Sequence, residues 1–190
     1  MTGYCTFCGS NNHTSIYCDI ENKMAPYFKK EVGVKMEEYI TKHIVCQHCN
    51  KKELIALNDF SPSLDIVCGN CNAKYEVKSK CLSVKDLPNY IFCNGGNYNK
   101  FKKNISYGLN LFVIVYGVNR GKKEIIIRNI YYASNEILQN KQLIEIEKKN
   151  NTTLSTVKIY NKNKLKSISF VEKNLSFKNL YNSLIQNITI

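Results

Sequence analysis

The chain has 190 residues, the length of one ordinary domain or of one domain with a small appended module. Hydrophobic residues make up 44% of it, which is enough to bury a core and excludes a chain that is disordered throughout. Its 27 basic and 15 acidic side chains give a net charge of +12, which favours polyanionic partners such as DNA or RNA.

The basic charge also has a second explanation. All the basic residues except Arg120 and Arg128 are lysines, and asparagine and isoleucine are abundant as well. Since all three residue types have AT-rich codons, coding bias is an alternative explanation for part of the charge. Such bias is typical of an AT-rich virus, microbe or parasite.

Cysteine usage and hydropathy predict the compartment. The chain has 9 cysteines, most of them at metal-ligand spacings rather than in the pattern of a secreted disulfide framework. The longest apolar run, 109–118, is about half the roughly 20 residues of a membrane span, and the N-terminus lacks the apolar core of a signal peptide. We therefore expect an intracellular, reducing compartment, the cytoplasm or nucleus, and no membrane association.

The first predicted element is a small zinc loop at 1–20. Three thiolates and one imidazole are spaced to close around a tetrahedral zinc ion, the ligands being Cys5, Cys8, His13 and Cys18. This pattern resembles the CCHC zinc knuckle, and the resemblance implies contact with single-stranded nucleic acid or sometimes with protein. The alternative is a structural clip that holds the N-terminus to the main domain.

A helix and a second zinc site follow. Apolar residues recur at steps of three and four between Met24 and His43, which predicts an amphipathic helix. Two CxxC pairs come next, and their separation is typical of a zinc ribbon with a closed, structural site. The four predicted ligands are Cys46, Cys49, Cys68 and Cys71.

Short strands are predicted around this ribbon, at 53–58, 64–68 and 73–80. The second and third form a hairpin with the Cys68–Cys71 knuckle at its tip. Folding the hairpin symmetrically about the middle of the knuckle places Asp65 opposite Lys74 and diagonal to Glu76. Alternation puts Lys78 on the same face as both carboxylates, so the three groups are expected to converge.

This arrangement resembles the PD-(D/E)XK nuclease superfamily, whose signature is an acidic residue on one strand and Glu/Asp-x-Lys on its antiparallel neighbour. The matching residues are Asp65 and Glu76-Val77-Lys78. The element order also agrees over residues 24–131, with further elements predicted at 98–107 (helix), 109–116 (buried strand) and 124–131 (strand). The resemblance implies an α+β fold with a central mixed sheet, flanked by helices and carrying the inserted ribbon.

The resemblance further implies a metal-dependent endonuclease that hydrolyses phosphodiester bonds, with structural zinc and catalytic Mg²⁺ or Mn²⁺. Asp65 and Glu76 would bind the cation, the Val77 carbonyl would add a ligand, and Lys78 would orient the attacking water. Weaker candidates for another acidic ligand are Glu31, Glu37, Glu38 and Asp59.

Two other functions stay open on the sequence. A non-catalytic zinc protein could bind DNA or RNA in transcription, replication or packaging, and a protein-interaction adaptor would show little salt-dependent nucleic-acid binding. In both cases Asp65, Glu76 and Lys78 would be the solvated face of an amphipathic hairpin.

The predicted nuclease-like domain covers 24–133, and an extension at 134–190 packs on it. The extension is expected to hold a helix from Asn135, a basic hairpin of 156–160 and 165–171, and a last helix at 175–188 that packs on the domain or forms an oligomer or partner interface. Residues 94–99 are predicted as a loop. The lysines after it either contact phosphates or form a solvated helix face, and they are Lys100, Lys102 and Lys103.

Overall fold

A computed structural model describes residues 19–57, 64–81, 90–119, 124–150, 152–168 and 174–176. In these ranges the chain forms three α-helices, a seven-stranded mixed sheet and a three-stranded antiparallel sheet. The predicted α+β fold with a central mixed sheet is confirmed. The described part of the chain contains no helix that is both long and apolar enough to span a membrane.

The helices are α1 (Asp19–His43), α2 (Tyr98–Ser106) and α3 (Asn135–Gln139). The strands of the large sheet are β1 (Leu54–Ala56), β2 (Ile66–Cys68), β3 (Lys74–Cys81), β5 (Leu109–Asn119), β6 (Glu124–Ala133), β9 (Lys166–Ser167) and β10 (Asn174–Ser176). The strands of the small sheet are β4 (Ile91–Asn97), β7 (Ile144–Lys148) and β8 (Leu154–Ile159).

The large sheet has the strand order β1-β2-β3-β5-β6-β10, and β9 also pairs with β6. Strands β3 and β5 are parallel, in register from the pair Lys74 and Leu109 to the pair Cys81 and Tyr116. A parallel pair needs a crossover connection, and β4 and α2 lie within it. The long pairing of β3 with β5 holds the predicted site strand at the centre of the sheet.

Hydrophobic cores cover both faces of the large sheet. On one face α1 packs against β3 and β5 through Met36, Ile40, Tyr75 and Phe112. On the other face α2 and the small sheet pack against alternate residues of β5, including Leu111 and Val113. Because neighbouring strand residues point to opposite faces, β3 sends Tyr75 and Val77 toward α1 and sends Glu76 and Lys78 to the other side.

Most of the predicted core elements are observed. The helix predicted at 24–43 begins earlier, at Asp19, and the predicted strands and second helix correspond to β1, β2, β3, α2, β5 and β6. The prediction of a loop at 94–99 was wrong, because Ile91–Asn97 is strand β4. Asparagine and glycine disfavour strands, but pairing with β8 overrides that propensity, with an irregularity between Asn94 and Asn97.

The predicted basic hairpin after residue 155 was also wrong. Its first strand belongs to β8, which pairs with β4 and β7, whereas β9 pairs with β6 in the other sheet. The two segments therefore lie in different sheets. The helix predicted at 175–188 overlaps strand β10 at its start, and its remainder lies outside the described residues. The four predicted ligands of the N-terminal zinc loop also lie outside them.

Candidate active site and zinc site

The two CxxC pairs come together in a single cluster. The Sγ atoms of Cys46 and Cys71 are 3.5 Å apart, and those of Cys49 and Cys68 are 3.6 Å apart. All four ligand atoms lie within 4.8 Å of one another. A tetrahedral zinc with Zn–S distances of about 2.3 Å requires sulfur separations of about 3.8 Å, so the cluster can hold a zinc ion.

The two knuckles share one backbone geometry. In the first, Cys46 N donates to Lys51 O and Asn50 N donates to Cys46 O, both at 2.9 Å. The second repeats both bonds at the same distance, from Cys68 N to Ala73 O and from Asn72 N to Cys68 O. The asparagine after each knuckle has a φ of 57°, a left-handed conformation that asparagine tolerates better than most residues.

Backbone donors favour the thiolate form of Cys49, whereas burial raises the pKa of Cys68 and raises that of Cys71 to about 12. The Lys51 N–H lowers the pKa of Cys49 to about 6, although partial burial opposes that shift. A lowered pKa favours the deprotonated sulfur that a metal ligand requires. The spare histidines contribute no ligand to the four-cysteine cluster: His48 is exposed, and the His43 ring lies 4.7 Å from that of Tyr39.

The hairpin that joins the knuckle to the acidic residues has a different register from the predicted one. Observed partners are Ile66 with Tyr75 and Val67 with Lys74. The prediction assumed a tight turn, but the knuckle loop closes only at the hydrogen bond from Cys68 to Ala73. Two more residues are therefore used in the turn, and Asp65 lies alongside Tyr75–Val77 instead of opposite Lys74.

Asp65 is held by two backbone contacts to β3. Its N–H donates to the Tyr75 carbonyl at 3.1 Å, and its carboxylate Oδ2 accepts from the Val77 N–H at 2.6 Å. The second bond involves only the N–H of Val77, so the Val77 carbonyl oxygen is still a candidate metal ligand. Asp65 is consequently fixed beside Glu76, the residue between these two anchors.

Glu76 and Lys78 form a buried ion pair. Oε1 of Glu76 accepts from the Lys78 ammonium, and their side chains are only 2% and 16% exposed. The other oxygen, Oε2 of Glu76, is buried and has no hydrogen-bond partner. A buried carboxylate oxygen without a partner is costly, so this atom marks a position where a cation would fit.

The three groups perturb one another's protonation. Burial raises the pKa of Glu76 to about 7, and the Asp65 charge adds to that shift while Lys78 opposes it. Burial also raises the pKa of Asp65 against the opposing charge of Lys78. Burial alone would lower the pKa of Lys78, but the two carboxylates outweigh it and raise that pKa. Two carboxylates and one ammonium thus share one partly desolvated site.

Of the weaker acidic candidates, the structure describes the side chains of Glu37 and Glu38, and neither is brought to this site. Glu38 pairs with Lys35 at 2.8 Å on the exposed side of α1, whereas α1 packs on the opposite face of the sheet from Glu76. Asp59 and the side chain of Glu31 lie outside the described residues. Sequence reasoning missed Tyr75, whose hydroxyl reaches Cys46, because a tyrosine in an alternating strand has the pattern of an ordinary core residue.

Comparison with known proteins adds independent information. The family model described as "DpnI: Dam-replacing family" matches residues 16–180, which is most of the chain. The match includes all four clustered cysteines and the three residues of the acidic site, but begins after three of the four predicted N-terminal zinc ligands. No curated protein matches the chain.

Proposed function

Because the chain belongs to the Dam-replacing family, a restriction-endonuclease-like family, we propose that it is a divalent-cation-dependent endonuclease that hydrolyses phosphodiester bonds. Membership makes it a nuclease-like protein that acts on DNA. The cation requirement and the residues that carry the reaction are our proposal.

One observation carries the proposal. Asp65, Glu76 and Lys78 converge, and the buried Oε2 of Glu76 has no hydrogen-bond partner. Carboxylate oxygens are the ligands that Mg²⁺ and Mn²⁺ prefer, and the donors at this site are carboxylates and a backbone carbonyl. If the hairpin served only as a solvated face, Glu76 would be exposed, yet it is 1% exposed.

Each residue has a distinct role in the proposed reaction. Asp65 and Glu76 hold the cation with the Val77 carbonyl, and the Val77 N–H keeps the Asp65 carboxylate oriented. When bound, the cation supplies positive charge at the scissile phosphate and makes water a better nucleophile. Lys78 orients the attacking water and offsets negative charge that develops on the phosphate.

The four-cysteine site has a structural role in this proposal. Four thiolates close the coordination of a tetrahedral zinc, which leaves no open position for substrate. A second structural zinc at Cys5, Cys8, His13 and Cys18 stays a prediction, as does contact of that loop with nucleic acid. The division of the chain at residues 20 and 133 also stays a prediction.

The test is cleavage of labelled single- and double-stranded DNA and RNA by zinc-loaded protein, with Mg²⁺, with Mn²⁺ and with EDTA added at low concentration. We compare wild type with Glu76→Gln and Lys78→Met. The matched controls are Glu147→Gln and Lys158→Met, because these residues form another Glu–Lys pair on neighbouring strands, outside the acidic site.

We expect wild type and both controls to cut DNA only when a divalent cation is present. Glu76→Gln and Lys78→Met should bind DNA but cut it at least about 100-fold more slowly, the range typical for loss of a proton-transfer group. If all proteins bind and none cuts with any cation, the non-catalytic zinc-binding function replaces the nuclease. Cleavage by Glu76→Gln at the wild-type rate would refute the residue assignment.

A further inference from the structure

We infer that Tyr75 is a positioning residue that couples the four-cysteine site to the acidic site. Its side chain contacts a zinc ligand, and its backbone carbonyl accepts from Asp65. The effect of Tyr75 on the cysteine cluster depends only on zinc binding by the four cysteines. The consequence for cation binding rests on the proposed function of Asp65 and Glu76.

The Tyr75 side chain has a single, well-defined environment. It is 0% exposed, and its ring stacks on Phe112 with centroids 5.0 Å apart and planes inclined by 22°. This packing directs the hydroxyl at the cysteine cluster, where Oη lies 2.9 Å from Cys46 Sγ. A buried tyrosine hydroxyl requires a hydrogen-bond partner, and Cys46 supplies one here.

Zinc loading fixes the direction of that hydrogen bond. A thiol and a hydroxyl can each donate, but a zinc-bound thiolate has no proton and can only accept. Tyr75 must then donate to the charged sulfur of Cys46, and such charge-assisted bonds are stronger than neutral ones. Outer-shell donors of this kind orient metal ligands and commonly contribute about 10- to 100-fold to metal affinity.

The backbone of the same segment holds the acidic site. The Tyr75 carbonyl accepts from Asp65 N–H, and Val77 N–H donates to the Asp65 carboxylate two residues further on. Glu76 lies between these two anchors. Any displacement of Tyr75 therefore changes the position of Glu76 relative to Asp65. The geometry of the two carboxylates thus depends on whether the cysteine cluster is well ordered.

Tyr75→Phe tests this coupling, because it removes the hydroxyl and keeps the ring that stacks on Phe112. The matched control is Tyr132→Phe. The Tyr132 ring lies in the same aromatic cluster, 6.4 Å from that of Tyr75, but its hydroxyl donates to Asn110 Oδ1 at 3.0 Å. Each variant loses one hydrogen-bonded hydroxyl, and only the Tyr75 hydroxyl contacts a predicted zinc ligand.

Three measurements are made on zinc-loaded protein: zinc release to a chromogenic chelator, amide hydrogen exchange of Val77, and Mn²⁺ binding. For Tyr75→Phe we expect zinc release about tenfold faster than in wild type. We also expect faster exchange at Val77 and weaker Mn²⁺ binding. Tyr132→Phe should release zinc at the wild-type rate.

Zinc release from Tyr75→Phe at the wild-type rate would overturn the inference. Faster zinc release together with unchanged amide exchange at Val77 would overturn the coupling between the cysteine site and the acidic site. Failure of the proposed function is distinguishable, because then Glu76→Gln would bind Mn²⁺ as wild type does, whatever Tyr75→Phe shows about zinc.

The wild-type protein provides the same test should Tyr75→Phe fail to fold. Stepwise zinc removal must increase exchange at Val77 in proportion to the zinc lost, and by more than at Val157 in the small sheet. Equal increases at the two amides would show general unfolding and would overturn the coupling.

Discussion

At the residue scale, the acidic site concentrates charge where solvent is scarce. Glu76 is nearly inaccessible, its Oε1 is paired with Lys78, and its Oε2 has no partner. Asp65 adds a second carboxylate that also accepts from a backbone amide. A buried carboxylate oxygen without a partner costs stability, and this supports the proposed cation site at Oε2 of Glu76.

The raised pKa of Glu76 predicts an unusual pH dependence of stability. Burial raises this pKa to about 7 from an ordinary value near 4.5. Between these values the folded protein binds more protons than the unfolded chain, so the contribution of Glu76 to stability is present below pH 4.5 and is lost as the pH rises to about 7. Without added divalent cation, this loss should be on the order of 1 to 3 kcal/mol.

Urea unfolding of wild type and Glu76→Gln at pH 5.5 and 7.5 measures that loss. The difference between the two proteins removes the contributions they share, including that of zinc. We expect Glu76→Gln to gain stability relative to wild type as the pH rises, and Mn²⁺ to restore wild type at pH 7.5. A pH-independent difference would contradict the assigned shift.

At the element scale, most elements around the two sites could be predicted from the alternation of apolar residues and from metal-ligand spacing. Both CxxC knuckles and the strand with Glu76 and Lys78 could be found from local patterns. The register between β2 and β3 could not, because a metal-binding knuckle uses more residues than a tight turn. Strand β4 was missed because its Asn-Gly-Gly-Asn stretch is held by pairing with β8, a residue set distant in sequence.

Loss of one knuckle ligand should release one zinc ion and destabilise the hairpin. A structural zinc site contributes directly to folding free energy, so Cys71→Ser should cost several kcal/mol, on the order expected for such sites. We expect two zinc equivalents in wild type, one of them at the predicted N-terminal loop, and one in Cys71→Ser. Cys93→Ala, which alters a buried cysteine of the other core, should keep both.

Helix α2 is expected to contact the phosphate backbone. It packs on the face of the large sheet to which β3 sends Glu76 and Lys78, and its exposed lysines are Lys100, Lys102 and Lys103. Replacing all three with glutamine should weaken DNA binding and reduce the slope of log affinity against log salt by up to about 3. The same change at Lys162, Lys164 and Lys166 controls for charge, and an equal effect there would contradict a specific role of α2.

At the scale of the whole molecule, the chain after residue 133 completes both sheets. Strands β9 and β10 pair with β6 in the large sheet. Strand β8 pairs with β4, which lies in the connection between β3 and β5. The sequence predicted an extension at 134–190 that packs on the domain at 24–133, but not the strands that its segments join. Which strand each segment would join depends on long-range pairing, which local patterns do not encode.

A chain truncated after Ala133 should therefore fail to fold cooperatively. It would lose β7 and β8 and expose the apolar face that Ile91 and Cys93 share with Leu111 and Val113. Circular dichroism and urea unfolding would show loss of the cooperative transition seen in the full chain. A truncated chain with a wild-type transition would contradict the shared cores.

In the proposed active site, Asp65, Glu76 and Val77 hold the divalent cation of a nuclease. Crystals of the zinc-loaded protein soaked in Mn²⁺ test it most directly, because anomalous scattering locates manganese without reference to activity. We expect a manganese peak between the carboxylates of Asp65 and Glu76 and next to the Val77 carbonyl. Manganese bound elsewhere, or no peak at saturating Mn²⁺, would contradict it.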